Sequence, residues 1–348
     1  GTGYGEAVTK TLVPALKGVA AEKSPFAGAG APKAAKDIHW VKPVLVAEVE
    51  HGGYTESGSL RQAAFKGGLP KSAGAVTLSK MCGSGMRAAM FAHDMLVAGT
   101  HDVLVAGGME SMTNAPYLLQ KGRGGYRMGH DKVYDHMMLD GLEDAYEAGR
   151  SMGTFGEDCA AKYNFTRDAQ DKFAMASVQR AQDAIKSGAF KDEIAPVTVK
   201  DRKGERVVDT DEGPRADTSE ETLGKLKPAF KKDGSVTAAN ASGLNDGAAA
   251  LVLMSAEEAA RRGAPVLAKV KSWASVGVDP AVMGLGPIPS SKKALELAGW
   301  SVSDLDLIEA NEAFAAQALA VGQELGIDPA KLNVNGGAIA IGHPIGAS

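Results

Sequence analysis

The chain holds two cysteines, Cys82 and Cys159, and only Cys82 has neighbours that could make a thiol react. It opens Cys82-Gly83-Ser84-Gly85, after a short apolar run at Ala75–Ser79 and before a longer one at Met86–Ala98. A cysteine at a strand-to-helix turn meets unpaired N–H groups and the positive end of the helix dipole, which favour the thiolate and make sulfur a nucleophile. Gly83 and Gly85 leave room for a ligand or for other backbone. A buried, inert thiol fits the same position. The base that activates a thiol is most often histidine. Of seven histidines, His343 alone lies in a glycine-rich run, Asn335-Gly336-Gly337-Ala338-Ile339-Ala340-Ile341-Gly342-His343-Pro344-Ile345-Gly346. That run also reads as a phosphate cradle or a plain turn, although the Lys and Ser/Thr of a nucleotide-binding loop are missing. Asn311, in Asn311-Glu312-Ala313-Phe314, follows an apolar run and opens a helical pattern. Its amide caps a helix there, or holds a water or oxyanion donor at a pocket. His130 and His136 are spaced for a metal pair, but a solvated loop fits them better.

These residues need elements to carry them. Ala75–Ser79, the Cys82 turn, a helix over Met86–Ala98 with apolar residues all round, and a strand over Asp102–Ala106 predict a βαβ unit in a parallel sheet. Gly107-Gly108 closes that strand, ahead of Met109-Glu110-Ser111-Met112. Residues 109–235 are richer in charge and read as an insertion. Within them Thr166–Gly188 is a strongly amphipathic helix and Lys200–Gly224 a polar loop. Ala248–Leu253 reads as strand and Glu257–Arg262 as helix. A second half follows: strand Val266–Val270, helix Ser291–Ala298, strand Leu305–Ile308, helix Glu312–Leu325 and strand Leu332–Val334. Ahead of all this, Glu6–Val19 has helical spacing interrupted by Pro14, Ser24–Lys36 is a Gly/Pro/Ala linker, and Val44–Glu50 reads as a strand.

Composition sets the class. The 348 residues are 44% hydrophobic and 23% charged, as in an ordinary globular protein with a sizeable core. No apolar run reaches the ~18 residues of a membrane span, and two cysteines make neither a disulfide framework nor a zinc site. A reducing cytoplasm is the expected setting. Net charge is −4, with eight basic and six acidic side chains in residues 1–66 and an acidic excess afterwards, so the bulk is no nucleic-acid binder.

Several stretches together resemble the thiolase family, in its acetyl-CoA acetyltransferase (acetoacetyl-CoA thiolase) branch, from about Arg61 to Ser348. They are Arg61-Gln62-Ala63-Ala64, Cys82 to Arg87, Ala106 to Met112, Asn240-Ala241-Ser242-Gly243-Leu244-Asn245-Asp246-Gly247-Ala248, Asn311 to Ala315, and Gly336 to Ser348. The resemblance implies a layered αβαβα fold with duplicated halves, an inserted loop domain and incomplete termini. Residues 61–115 with 236–262 would form one half, 116–235 the insertion and 263–348 the other half. It implies CoA-dependent acyl transfer by thiolytic cleavage or Claisen condensation. Cys82 would form the thioester, and His343, with a water held by Asn311, would activate it and bind its oxygen. Met152, Phe230, Ala238, Ser242, Met283 and Phe314 would line the pantetheine or acyl pocket, and Lys227 would stand near the nucleotide end of CoA. No cofactor or metal is expected beyond CoA thioesters as substrates, and the partner is another copy in a homodimer or homotetramer, through a loop at Pro116–Met138. A longer-chain 3-ketoacyl-CoA thiolase and an inert fusion fragment are the alternatives. The family's second reactive cysteine, in a Cys-Gly-Gly-Gly motif, is expected beyond Ser348, so turnover by these residues alone is expected to be impaired. Ser151 stands where many biosynthetic members have His.

Residues 1–60 resemble something else. Trp40-Val41-Lys42-Pro43, Leu45-Val46-Ala47-Glu48-Val49-Glu50 and Leu60 to Gly67 are similar to the C-terminal OB-type lobe of bacterial ATP-dependent DNA ligases. This implies a chain spliced near Leu60–Lys66; a divergent N-terminus of the thiolase-like chain is the alternative. Lys231-Lys232-Asp233-Gly234 has the letters of a ligase nucleophile, but it adjoins the thiolase-like Ser235–Gly247.

Overall fold

The computed structural model describes residues 69–70, 72–201, 204–215 and 217–348, with two short strands ahead of them. The chain divides after Thr77 into two units. In the first, β1 (Ala20–Ala21) pairs antiparallel with β2 (Trp40–Val41). The helix expected over Glu6–Val19, the linker over Ser24–Lys36 and the strand over Val44–Glu50 lie outside the described residues.

The second unit, Leu78–Ser348, runs α1 (Ser84–Val97), β3 (Val103–Ser111), β4 (Tyr117–Leu118), β5 (Tyr134–Asp135), α2 (Met152–Tyr163) and α3 (Arg167–Ser187). It continues with β6 (Val197–Asp201), β7 (Gly204–Val208), α4 (Glu220–Gly224), β8 (Asp246–Met254) and α5 (Ala256–Arg262). It ends with α6 (Pro287–Ala298), α7 (Ala315–Leu325) and α8 (Ala338–Ile341). Short 3-10 turns at Met81–Gly83, Pro280–Leu285 and Ile345–Ala347 matter for the site.

Helix α3 shows why the sequence folds as it does. Thr166 accepts a hydrogen bond from the Ala169 N–H at 3.1 Å, capping the first turn, and Gly188 ends the helix at φ +77°. Gln170, Ala174, Ser177, Val178, Ala181 and Ala184 fall on one buried stripe between these caps. Half of the stripe is alanine, so helices approach closely. Val178 and Ala181 pack with Ala340 and Ile341 of α8, and α7 buries Ala315, Ala316, Ala318, Ala320 and Val321 between α2 and α3.

The long pair of strands is where pattern and structure part. β3 pairs with β8 antiparallel, from Val103 opposite Met254 to Ser111 opposite Asp246. The parallel βαβ unit is not formed among the described residues, where Ala75–Ser79 and Val266–Val270 form no strand. The strands expected at Leu305–Ile308 and Leu332–Val334 reduce to one parallel bridge, Ile308 to Leu332. Apolar alternation specifies a face and leaves partner and direction open. Gly107-Gly108 does not end β3 either. A side chain on Gly107 would overlap the Ala249 carbonyl, and one on Gly108 the Gly346 carbonyl, so both glycines serve close approach within the strand. Lys200–Gly224, expected as loop, takes in the end of β6, its hairpin partner β7, and α4, capped by Ser219 and Thr222. Helix α1, expected to be buried, buries only Ser84, Gly85 and Ala92, with Met86 and Phe91 exposed.

Because Gly108 carries the Ile345–Ala347 turn against β3, Gly108→Val is expected to destabilise the protein by about 1–3 kcal/mol through overpacking. A urea unfolding curve reads it; an unchanged midpoint would mean that turn does not rest on the strand.

Candidate active site

The nucleophile candidate sits on a strained turn. Met81, the residue before Cys82, has φ +49°, a left-handed conformation unfavourable for a side chain of that size. Ser84 holds it there. Its Oγ accepts from the Lys80 N–H at 2.9 Å and donates to the Met81 carbonyl at 2.8 Å. Cys82 itself is exposed. Nothing in the letters Lys80-Met81-Cys82 signals the left-handed turn, since no Gly or Asn marks it.

The C-terminal turn closes over this one. The Gly85 N–H donates to the Ser348 carbonyl at 2.6 Å, and the Met81–Gly83 and Ile345–Ala347 turns pack together. Glu110 of β3 accepts from the Gly346 N–H at 3.1 Å. His343 lies two residues before that turn, 6% exposed, with Nδ1 3.4 Å from Ser348 Oγ. Its Nε2 is 3.3 Å from Asn311 Nδ2. An amide nitrogen only donates, so Nε2 takes the acceptor role and Nδ1 carries the proton toward Ser348. Two segments separated by more than two hundred residues thus share one small region, joined through Ser348.

Asn311 does not cap a helix. α7 starts at Ala315 with Phe314 in the capping position, which frees the Asn311 amide for His343. The strut between the two is Asn240–Gly243. The Ala315 N–H donates to Asn240 O at 2.9 Å, Ser242 N–H to Ala313 O at 3.1 Å, and His343 N–H to Gly243 O at 3.1 Å. Asn240 is buried and fixed in turn, donating to Asp171 at 2.9 Å and to Ser235 O at 3.0 Å.

The charge state differs from the sequence expectation of a thiolate. Cys82 precedes Gly83, the residue that caps α1, and protein crowding around its sulfur pushes the thiol up from its ordinary value of 9.0. Its own backbone N–H and Lys80 pull it down, and Glu110 pushes it up again. Burial pushes His343 below the ordinary 6.5. Both directions favour a neutral thiol and a neutral imidazole at rest, with the proton moving as sulfur attacks.

The lining residues divide. Phe230 and Phe314 meet edge to face, centroids 6.1 Å apart, and both rest on α2, over Gly153 and Gly156, beside Met152. Ser242 Oγ donates to Ala313 O at 3.2 Å. Met283 is on the Pro280–Leu285 turn, which packs against α2 and α7. Lys227 and Ala238 are exposed and enter none of these contacts. Cys159 is set apart, its Sγ 3.6 Å from Ala316 O and its thiol pushed up to about 11 by burial. A cavity of about 100 Å³, lined by Met81, Ser84, Glu110, His136, Asp140 and Ile345, adjoins the Cys82 turn without including Cys82, His343 or Asn311. It is smaller than the ~300–1,000 Å³ of ligand pockets and has room for waters. Among the described residues no group of three His, Cys, Asp or Glu is placed to hold a metal, and no helix is long and apolar enough to cross a membrane.

Comparison with known proteins identifies the family. The thiolase N-terminal domain matches residues 32–257 and the thiolase C-terminal domain residues 264–348. The chain belongs to the thiolase family. It is 56% identical over 313 residues to an acetyl-CoA acetyltransferase of Pseudomonas aeruginosa, covering 90% of this chain and 79% of that one. To one of Cupriavidus necator it is 52% identical over 330 residues, covering 93% and 84%. The crystal structure of the Bacillus anthracis acetyl-CoA acetyltransferase superposes with a TM-score of 0.79 at 46% identity, covering 82% of this chain and 72% of that one. Human mitochondrial 3-ketoacyl-CoA thiolase gives 0.80 at 41%, covering 83% and 73%. The α/β fold is that of the thiolases. The ligase-like reading of residues 1–60 gains no support. The thiolase match begins at residue 32, and an acetyl-CoA acetyltransferase of Chromobacterium violaceum aligns over 95% of the chain, which takes in most of that segment.

Two substitutions test the electrostatics. Glu110→Gln removes a charge that raises the Cys82 pKa, so the pH midpoint of its alkylation by iodoacetamide should fall. Lys80→Met removes one that lowers it, so the midpoint should rise. A midpoint unmoved in both variants would show that neither charge reaches the sulfur.

Proposed function

We propose that the chain transfers acetyl groups between CoA thioesters, acting as an acetyl-CoA acetyltransferase. The reading is carried by the neutral His343 imidazole, 3.3 Å from Asn311 and tied through Ser348 to the Cys82 turn. In acylation Cys82 Sγ attacks the thioester carbonyl of the donor. His343 Nε2 takes the thiol proton as the new carbon–sulfur bond forms. The protonated Nε2 and the Asn311 amide, directly or through a water, then present two N–H donors to the developing oxyanion. The bond to the CoA sulfur breaks, and the proton passes from His343 to that leaving thiolate. A second acetyl-CoA then gives up an α-proton to a base, its α-carbon attacks the acetyl carbonyl, the bond to Cys82 Sγ breaks and the sulfur regains a proton, giving acetoacetyl-CoA. In the reverse direction Cys82 Sγ attacks the 3-keto carbon, acetyl-CoA leaves as its enolate and is protonated, and CoA thiolate then takes the acetyl group from Cys82. The buried imidazole suits this cycle because it stays neutral, and so able to accept a proton, at pH values where an exposed histidine begins to charge.

The Phe230–Phe314 pair over α2, with Ser242 and Met283, forms the wall for the acyl and pantetheine parts, and Lys227 meets the nucleotide end. The β3–β8 pairing supports grouping residues 61–115 with 236–262 as one half and 263–348 as the other, with 116–235 inserted. Assembly into a homo-oligomer is supported by apolar side chains exposed on that pair, among them Met109, Leu251 and Val252.

Incubation with acetyl-CoA followed by peptide mass spectrometry should find an acetyl adduct on Cys82. Cys82→Ser should abolish it, and Cys159→Ser should leave it. A folded chain with no adduct, or an adduct that survives in Cys82→Ser, would overturn the assignment.

A further inference from the structure

The carboxyl group of Glu312, next in sequence to Asn311, is 1% exposed and belongs to no ion pair among the described residues. A carboxyl group buried without a cation is costly unless donors surround it. Here Ser177 of α3 donates to Oε2 at 2.7 Å, the Ile339 N–H of α8 to Oε2 at 3.1 Å, and Asn333 Nδ2 to Oε1 at 2.8 Å. Ser177 Oγ also accepts from the Gly337 N–H at 2.9 Å. A side chain on Gly337 would overlap the Glu312 carboxyl group, so the glycine-rich loop lies directly on it. Asn333 completes the frame by clamping Ala310, accepting from its N–H and donating to its carbonyl, each at 2.8 Å. One carboxyl group therefore ties the segment that ends in Asn311 to the loop that leads into His343. Those are the two residues whose side chains meet at 3.3 Å.

We propose that Glu312 is a positioning residue that sets the Asn311–His343 contact, and so the orientation of the base toward the Cys82 turn. The proposal rests on the acetyl-transfer reading for its rate effect, but the contact itself can be measured without it. Replacement by Gln keeps the shape and exchanges one acceptor for a donor. The three donors around it cannot all be satisfied by the single remaining oxygen, because Asn333 Oδ1 is already engaged with Ala310. The frame must then shift, and a misplacement of about 1 Å near a reacting group can cost about 100-fold.

The test uses the whole chain with Glu312→Gln. Three quantities are followed: the single-turnover rate of Cys82 acetylation by acetyl-CoA, the acetyl-CoA concentration at half-saturation, and the His343 titration by NMR. The maximal rate should fall about 10–100-fold with half-saturation unchanged, and the His343 midpoint should climb toward 6.5 as the ring loosens from its buried seat. If Glu312→Gln does not fold, Ser177→Ala removes one donor and leaves the other two. It should slow acetylation roughly 2–10-fold, as expected for one hydrogen bond, and move the midpoint the same way. A folded variant with the parent's rate and the parent's His343 midpoint overturns the proposal. A parent chain that forms no acetyl adduct overturns the acetyl-transfer reading instead, and the NMR midpoint still decides the role of Glu312.

Discussion

The site depends on one backbone contact, the Gly85 N–H on the Ser348 carbonyl, made possible because Gly108 lets the last turn lie on β3. Through it the residues after His343 meet the turn that bears Cys82. The contact closes a loop of more than 250 residues, so local propensity cannot produce it and close packing must hold it. The small residues of α3, α7 and α8 provide that packing, and the buried side chains of Asn240, Glu312 and Asn333 fix its register. Each of these polar groups is hydrogen-bonded across two segments, which is how a buried network selects one arrangement over nearby ones.

A nucleophilic thiol and its base can rest as an ion pair or as two neutral groups. The surroundings here favour the neutral pair, since desolvation acts on both and disfavours charge on each. The helix dipole does not reverse this, because Cys82 lies before the cap of α1 on a strained 3-10 turn rather than within the first turn. A neutral resting state keeps the Cys82 sulfur from indiscriminate alkylation and oxidation, which both proceed through the thiolate. It also leaves proton transfer to the moment when a thioester is in place.

Much of this was legible in the residues. Cys82 and His343 stood out because glycines surround each, and a caps-and-stripe pattern marked α3 nearly to the residue. The strand partners were not legible. Ala75–Ser79 and Val266–Val270 carry the apolar character of strands, yet pairing depends on what lies alongside, and β3 took β8 in antiparallel sense. Asn311 looked like a cap because it precedes a helical pattern, but α7 begins at Ala315. The left-handed Met81 and the carboxyl group of Glu312 left no mark in composition or spacing, since both are defined by groups far away in the chain.

The account turns on the protonation of one sulfur at rest. Thiolate absorbance followed against pH, in a Cys159→Ser chain so that only Cys82 reports, reads it directly. The account predicts a protonated thiol at neutral pH with a midpoint above the ordinary 9.0. A thiolate already formed at neutral pH would contradict it.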